Sequence, residues 1–160
     1  MTAVARASSA KPVIGDRLLH PVALAAICVL LVNDHVLKAA YPGFVTGKLS
    51  DFAGLMFFPL FLTAIYEFAA SLARRDVRTD RLPLLVAIVA TGVLFSAIKL
   101  VPEVNDVVRH ALGVAQWVIV PAGAAMPTHI VMDPTDLVAL PALAVAYVIG
   151  SVRRPRAGRE

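Results

Sequence analysis

Residues 46–65 read TGKLSDFAGLMFFPLFLTAI, so that a short polar motif leads directly into a long apolar run. The motif carries Lys48, Ser50 and Asp51, and the apolar run continues to about residue 73. Such a run can cross the hydrocarbon core of a bilayer, which takes about 20 helical residues. Ionisable groups in membrane segments tend to mark functional sites. The stretch therefore predicts a membrane helix with a polar site at its mouth.

The composition extends this prediction to the whole chain. Of its 160 residues, 59% are hydrophobic and 16% are charged, and the mean hydropathy is +0.78. Soluble domains have roughly 45–50% apolar and about 25% charged residues. We therefore predict an all-α protein, a polytopic transmembrane helical bundle. The single cysteine, Cys28, excludes a disulfide within the chain.

Apolar runs and their breaks predict four spans. These spans cover about residues 18–40, 50–73, 82–101 and 134–152, between a basic arm at 1–17 and a basic tail at 153–160. The intervening region is apolar on average, but charged residues, histidines and prolines interrupt it. We predict an interfacial or re-entrant segment at about 104–120, with a fifth span as the alternative.

The distribution of positive charge predicts the orientation. Eleven of the fifteen Lys and Arg residues lie in the arm, in the segment 74–81 and in the tail. With four spans these three segments share one side, which the positive-inside rule makes cytoplasmic. We therefore predict a multi-pass protein of the inner (cytoplasmic) membrane with both termini in the cytoplasm. The same distribution explains the net charge of +4 without a nucleic-acid partner.

The polar motif then lies at the outer face together with other polar residues. Asp34 and Lys38 are spaced to form an intrahelical ion pair. Helix capping is the alternative explanation for the acidic residues, with Ser50 or Asp133 as N-cap, but capping does not explain Lys48. The candidate ligand-binding residues are Lys48, Ser50, Asp51, Asn33, Asp34, Lys38, Lys99, Asp133, Thr135 and Asp136.

The two halves of the chain also match weakly, which predicts a parallel two-fold internal repeat. The segment 50–55 aligns with 135–140, and Lys38 aligns with Lys99. This alignment places Lys48 opposite Asp133 if the halves pack about an axis along the membrane normal. Similar helix-start chemistry arising independently in each half is the open alternative.

Two resemblances rest on these motifs. The stretch from Asn33-Asp34-His35 through the motif at 46–55 resembles a motif of uncharacterised small bacterial polytopic membrane proteins, and implies no established activity. The segment Asp133-Pro134-Thr135-Asp136-Leu137 is more faintly similar to the acid-rich last span of VanZ-like membrane proteins. Downstream, this chain has Ala139-Leu140-Pro141 in place of the asparagine and paired glycines of that family.

Three functions are open from the sequence. The first is binding of a polar or phosphorylated ligand, such as a lipid headgroup, at the outer cluster; the second is a structural or accessory role with a membrane-protein partner or in a homo-oligomer; the third is ion or proton transport. Whether the chain is an enzyme is also open, with Asp51 and Ser50 as the nominees for general base or nucleophile. We expect no cofactor and no metal, because the histidines match no metal-binding spacing.

Overall fold

The computed structural model describes residues 14–73, 81–121 and 126–152, and within these ranges every regular element is helical. The predicted segments 1–13, 74–80 and 153–160, which make up most of the arm, the basic loop and the tail, lie outside the described residues. We number five helices in chain order. They are α1 (Pro21–Ala40), α2 (Phe44–Leu72), α3 (Arg81–Leu100), α4 (Pro102–Ile119) and α5 (Pro134–Ser151).

Four of these helices, α1, α2, α3 and α5, are long and apolar enough to cross a membrane. Their outward surfaces are rich in exposed aliphatic and aromatic side chains, among them Phe68, Val89 and Val148. An apolar exterior of this kind suits a lipid environment. The predicted transmembrane helical bundle with four spans is confirmed, and α4 is not among the spanning helices.

Helix α2 is the centre of the bundle, since α1, α3 and α5 all pack against it. One core cluster joins Leu60 of α2 to Ala23, Leu84 and Ile149 of the other three helices. Gly150 of α5 lies so close to α3 that an added Cβ would be 2.7 Å from a Leu84 methyl group. Small residues thus let the helices approach closely, as is usual in membrane bundles.

The two ends of the bundle differ in their charged residues. Both α1 and α3 run toward one end, where α2 and α5 begin; we call it the aspartate end because it carries Asp51 and Asp136. The opposite end is the arginine end, where Arg17 contacts Glu67 at 2.7 Å. Arg17 belongs to a short 3₁₀ turn, Asp16–Leu19, so the part of the predicted arm nearest the first span packs against α2.

The start of α2 lies six residues earlier than the predicted boundary at residue 50. The Gly43 N–H donates to the Thr46 hydroxyl at 3.2 Å, and this hydroxyl donates to the Gly43 and Tyr41 carbonyls. Thr46 thus satisfies backbone groups at the beginning of the helix. Ser50 and Asp51 consequently lie inside the helix, and the explanation of Ser50 as an N-cap is wrong.

Helix α4 follows α3 almost without a linker. Residues 126–128, which come after α4, lie against it, and we call them the returning segment. Arg109 Nε donates to the Thr128 carbonyl at 2.9 Å, and the Thr128 N–H donates back to the Arg109 carbonyl at 3.1 Å. A Cβ on Gly113 would lie 2.1 Å from the Met126 carbonyl oxygen, so the returning segment passes directly over this glycine. The connection from α3 to α5 therefore starts and ends at the aspartate end.

Candidate functional site

The centre of the site is an aspartate shared by two lysines. Asp136 Oδ1 accepts from Lys48 Nζ at 2.7 Å, and Asp136 Oδ2 accepts from Lys99 Nζ at 2.5 Å. The three residues come from α2, α3 and α5, and their exposures are only 6–8%. We call Lys48, Asp136 and Lys99 the triad. Its two positive charges and one negative charge leave a net charge of +1.

The local sequence explains how Asp136 reaches this position. Asp133 is the N-cap of α5, Pro134 follows at the first helical position, and the Asp133 side chain accepts from the Thr135 N–H at 2.8 Å. These are the roles that the capping pattern predicts for Asp133 and Pro134. The first turns, Pro134–Ala139, are 3₁₀ rather than α-helical. Capping by Asp133 leaves the Asp136 carboxylate free to contact both lysines.

Two further carboxylates flank the triad at longer distances. Asp51 Oδ2 lies 3.5 Å from Lys99 Nζ, and Asp133 Oδ2 lies 3.8 Å from Lys48 Nζ. Their side chains are more exposed than the triad, at 19% for Asp51 and 37% for Asp133. Hydrogen bonds from the Thr135 hydroxyl and N–H lower the pKa of Asp133 and keep it ionised. The site thus has a buried triad and a more open acidic rim.

Each lysine also contacts an aromatic ring and an uncharged oxygen. Lys48 Nζ lies 4.3 Å from the centroid of the Phe44 ring and donates to the Thr135 hydroxyl at 2.8 Å. Lys99 Nζ lies 5.5 Å from the Phe95 centroid and donates to the Val131 carbonyl at 3.3 Å. Such contacts stabilise an ammonium group in a poorly hydrated site.

The contacts of the lysines with Phe44, Phe95 and Val131 were not predicted from the sequence. In both helices the aromatic residue lies four positions before the lysine, a spacing that puts the two side chains on one helix face. That spacing is a signal that identifies Phe44 and Phe95. The Val131 carbonyl gives no sequence signal, because any residue supplies a backbone oxygen.

A second polar network lies on the face of α2 that meets α1. Lys38 and Asp34 form the predicted ion pair at 2.7 Å, and Asp34 Oδ1 also accepts from the Ser50 hydroxyl at 2.6 Å. Asn33 Nδ2 donates both to the Ser50 hydroxyl and to the Thr46 carbonyl, each at 2.6 Å. We call these five residues the asparagine network. It runs from the exposed Lys38 to the fully buried Asn33.

Asn33 has one polar atom without a protein partner. The residue is 0% exposed, and its Oδ1 is one of two buried side-chain atoms in the described part of the chain that lack a hydrogen bond. A flip of the amide that exchanged Oδ1 and Nδ2 would not help. Oδ1 would then face the Thr46 carbonyl oxygen, and both oxygens are acceptors only. Asn33 opens a π-helical segment, Asn33–Leu37, a feature frequent at functional sites.

The predicted site residues therefore divide into two neighbouring groups. Lys48, Asp51, Lys99, Asp133, Thr135 and Asp136 form the triad and its rim, whereas Asn33, Asp34, Lys38 and Ser50 belong to the asparagine network. The predicted approach of Lys48 to Asp133 is present, although Asp136 is the closer partner. No group of three or more His, Cys, Asp or Glu side chains in residues 14–73, 81–121 and 126–152 is arranged to hold a metal ion.

Comparison with protein-family models, with curated proteins and with solved structures finds no significant match for this chain. The two resemblances drawn from its motifs therefore stay predictions. Its function has to be argued from the geometry of the site.

Proposed function

We propose that this protein binds a polar, phosphorylated ligand, such as a lipid headgroup, at the extracytoplasmic end of its bundle. One observation carries the proposal: ionisable side chains from three helices converge at the aspartate end of the bundle. Charges placed in a membrane protein must be paired internally, and they commonly mark a functional site. The aspartate end is where an outer-leaflet headgroup would meet the protein.

The triad suits an anionic group. Asp51 and Asp133 bring the net charge of the five residues to −1, but their distances of 3.5 and 3.8 Å from the lysines are longer than a close ion pair. A phosphate that approached the two lysines would replace these weak contacts while Asp136 kept the lysines in place. Lysine serves well here, because it binds phosphate as a compact point charge.

The orientation and location belong to the same proposal. The positive-inside rule puts the arginine end in the cytoplasm, so that both termini are cytoplasmic and the site faces outward. The resemblance to small bacterial membrane proteins supports placing the protein in the inner membrane of a bacterium.

The test compares lipids with and without a phosphate. The purified protein in detergent is titrated with a short-chain phospholipid and with diacylglycerol, and bound lipid is measured by native mass spectrometry. We expect the phospholipid to bind, and Lys48→Gln or Lys99→Gln to weaken its binding about tenfold or more, the effect of losing one charge-assisted contact. Glu67→Gln is the matched control, because Glu67 is similarly buried on α2 but lies at the arginine end.

A structural or accessory role is the second candidate, and one observation favours it. Lys48 and Lys99 already have protein partners for their N–H groups, so the triad is satisfied without a ligand. Such a network fixes how three helices pack, and the protein then acts through a membrane partner or a second copy of itself. Lysine variants that lose stability but bind phospholipid as the wild type does would favour this candidate.

Ion or proton transport has no observation in its favour. Residues 52–66 of α2 and 82–98 of α3 contain no Asp, Glu, Lys, Arg or His. The ionisable groups of these central helices thus lie near the two ends, without the intermediate positions that a relay requires.

A further inference from the structure

We infer that the headgroup carries a protonated amine with at least one N–H beside its phosphate, as phosphoethanolamine does. This inference rests on the proposed function and adds the chemical class of the ligand. It comes from the atoms at the aspartate end that still lack a strong partner.

Those atoms are mainly acceptors. Lys99 Nζ donates to three oxygens, and Lys48 Nζ donates to two and lies 3.8 Å from a third, so five of the six lysine N–H groups have a hydrogen-bond partner. Asp51, by contrast, has one cationic partner, Lys99 at 3.5 Å, and its other interaction is with the like charge of Asp136. A ligand that offered only acceptors would leave Asp51 without a new partner.

Asn33 supplies a second and independent acceptor. Its Oδ1 is buried and unpartnered, while its Nδ2 is bonded to Ser50, the residue next to Asp51. Because both atoms belong to one planar amide, Oδ1 lies close to Ser50 as well. A buried carbonyl oxygen is satisfied when a hydrogen-bond donor reaches it.

Charge selects an amine over a hydroxyl group. When a phosphate neutralises the net charge of the triad, the Asp51 carboxylate loses part of its counter-charge from Lys99. An ammonium group on the same ligand restores it and also carries N–H donors for the Asn33 oxygen. Residues 46–51 rise only about 7.5 Å along α2, at 1.5 Å per residue. Along the helix axis, the triad and the asparagine network are therefore no farther apart than the two charged groups of one zwitterionic headgroup can span.

Three short-chain phospholipids with the same acyl chains separate the alternatives. Phosphatidylethanolamine has a phosphate, a positive charge and N–H donors; phosphatidylcholine has the positive charge without N–H donors; phosphatidylglycerol has hydroxyl donors without the charge. We expect the wild-type protein in detergent to bind phosphatidylethanolamine about tenfold or more tightly than either of the others, as expected for a charge-assisted hydrogen bond. Successive N-methylation of the ethanolamine should keep binding until the last N–H is replaced, and should then lower it.

Asn33→Leu tests the acceptor directly, with Asn105→Leu as the matched control. Asn105 is also buried, at 4% exposure, and its amide bonds to the Ile98 carbonyl. Asn33→Leu should lower binding of phosphatidylethanolamine to the level of phosphatidylcholine, and Asn105→Leu should not. If Asn33→Leu does not fold, the N-methylation series on the wild type decides.

The outcomes distinguish this inference from the proposed function. Equal binding of the three phospholipids overturns the amine and leaves phosphate binding intact. Phosphatidylglycerol binding as tightly as phosphatidylethanolamine also overturns it, because uncharged donors then suffice. If no phospholipid binds better than diacylglycerol, the proposed function and the amine are both wrong.

Discussion

Asp136 is the residue on which the charged site depends. Its two oxygens each bind one of two lysines that would otherwise repel each other within the bundle. Because the lysines come from α2 and α3 and the aspartate comes from α5, the contacts hold three helices together at one end. A membrane interior strengthens this requirement, since an unpaired charge there has no water to contact.

Replacing this aspartate should therefore destabilise the protein. Asp136→Asn removes the negative charge and leaves two buried lysines with only the longer contacts to Asp51 and Asp133, which should lower the free energy of unfolding by about 3 kcal/mol or more. Asp133→Asn is the matched control at the rim, and its effect should be small because asparagine is also a good N-cap. Thermal or denaturant unfolding in detergent measures both. A similar small loss in the two variants would contradict a central role for Asp136.

Most residues of this site could be predicted from the sequence, but most of their partners could not. A charged or polar residue near the mouth of a membrane helix is visible as a break in apolar sequence, and ten such positions were predicted. The alignment of halves pointed to Asp133 as the partner of Lys48 and matched Lys99 with Lys38. In the structure Lys99 shares Asp136 with Lys48, whereas Lys38 pairs with Asp34. The two aligned lysines thus have different environments, and the internal repeat stays a prediction.

Among the elements, helix boundaries were predicted best where a cap is formed by adjacent residues. The start of α5 agrees with its Asp-Pro sequence, since the aspartate accepts from a backbone N–H two residues later. The start of α2 was placed too late, because Ser50-Asp51 also fits a capping pattern. The Thr46 hydroxyl closes the helix start earlier, through contacts with Gly43 and Tyr41. Sequence alone does not decide between two capping signals that lie about two helical turns apart.

The position of helix α4 relative to the membrane follows from its connections and its exposed side chains. Its ends connect to α3 and, through the returning segment held by Arg109 and Thr128, to α5 at the same bundle end. Irregular backbone such as this returning segment does not lie in hydrocarbon exposed to lipid. Apolar side chains of α4, including Leu112, Val118 and Ile119, are nevertheless exposed. We therefore expect α4 to lie along the outer membrane interface with these side chains toward the acyl chains.

The only tryptophan of the chain, Trp117, makes this position measurable. It lies on α4 with 42% of its surface exposed. In vesicles of brominated lipids, its fluorescence should be quenched most strongly by bromine near the headgroup and least by bromine near the bilayer centre. Phosphatidylcholine vesicles without bromine are the control. Strongest quenching at the bilayer centre would contradict the interfacial position and support a fifth span.

For the whole molecule, the distribution of charge and the fold lead to one topology. Arg17 and Glu67 form an ion pair at one end of the bundle, and the lysine–aspartate site lies at the other. Four spans return the chain to the end at which it began, so the first and last described residues, 14 and 152, both lie at the arginine end. From the positive-inside rule we expect that end to face the cytoplasm, and the topology also decides which lipid leaflet the site meets.

Cysteine labelling tests this topology on intact cells. In a Cys28→Ser background, Met126→Cys places a thiol in the exposed returning segment at the aspartate end, and Ala157→Cys places one in the basic tail. A membrane-impermeant maleimide should label Met126→Cys in intact cells, and should label Ala157→Cys only after the cells are permeabilised. The Cys28→Ser protein without a new cysteine measures the background. Labelling of Ala157→Cys in intact cells, with Met126→Cys protected, would mean that the site faces the cytoplasm and meets the inner leaflet.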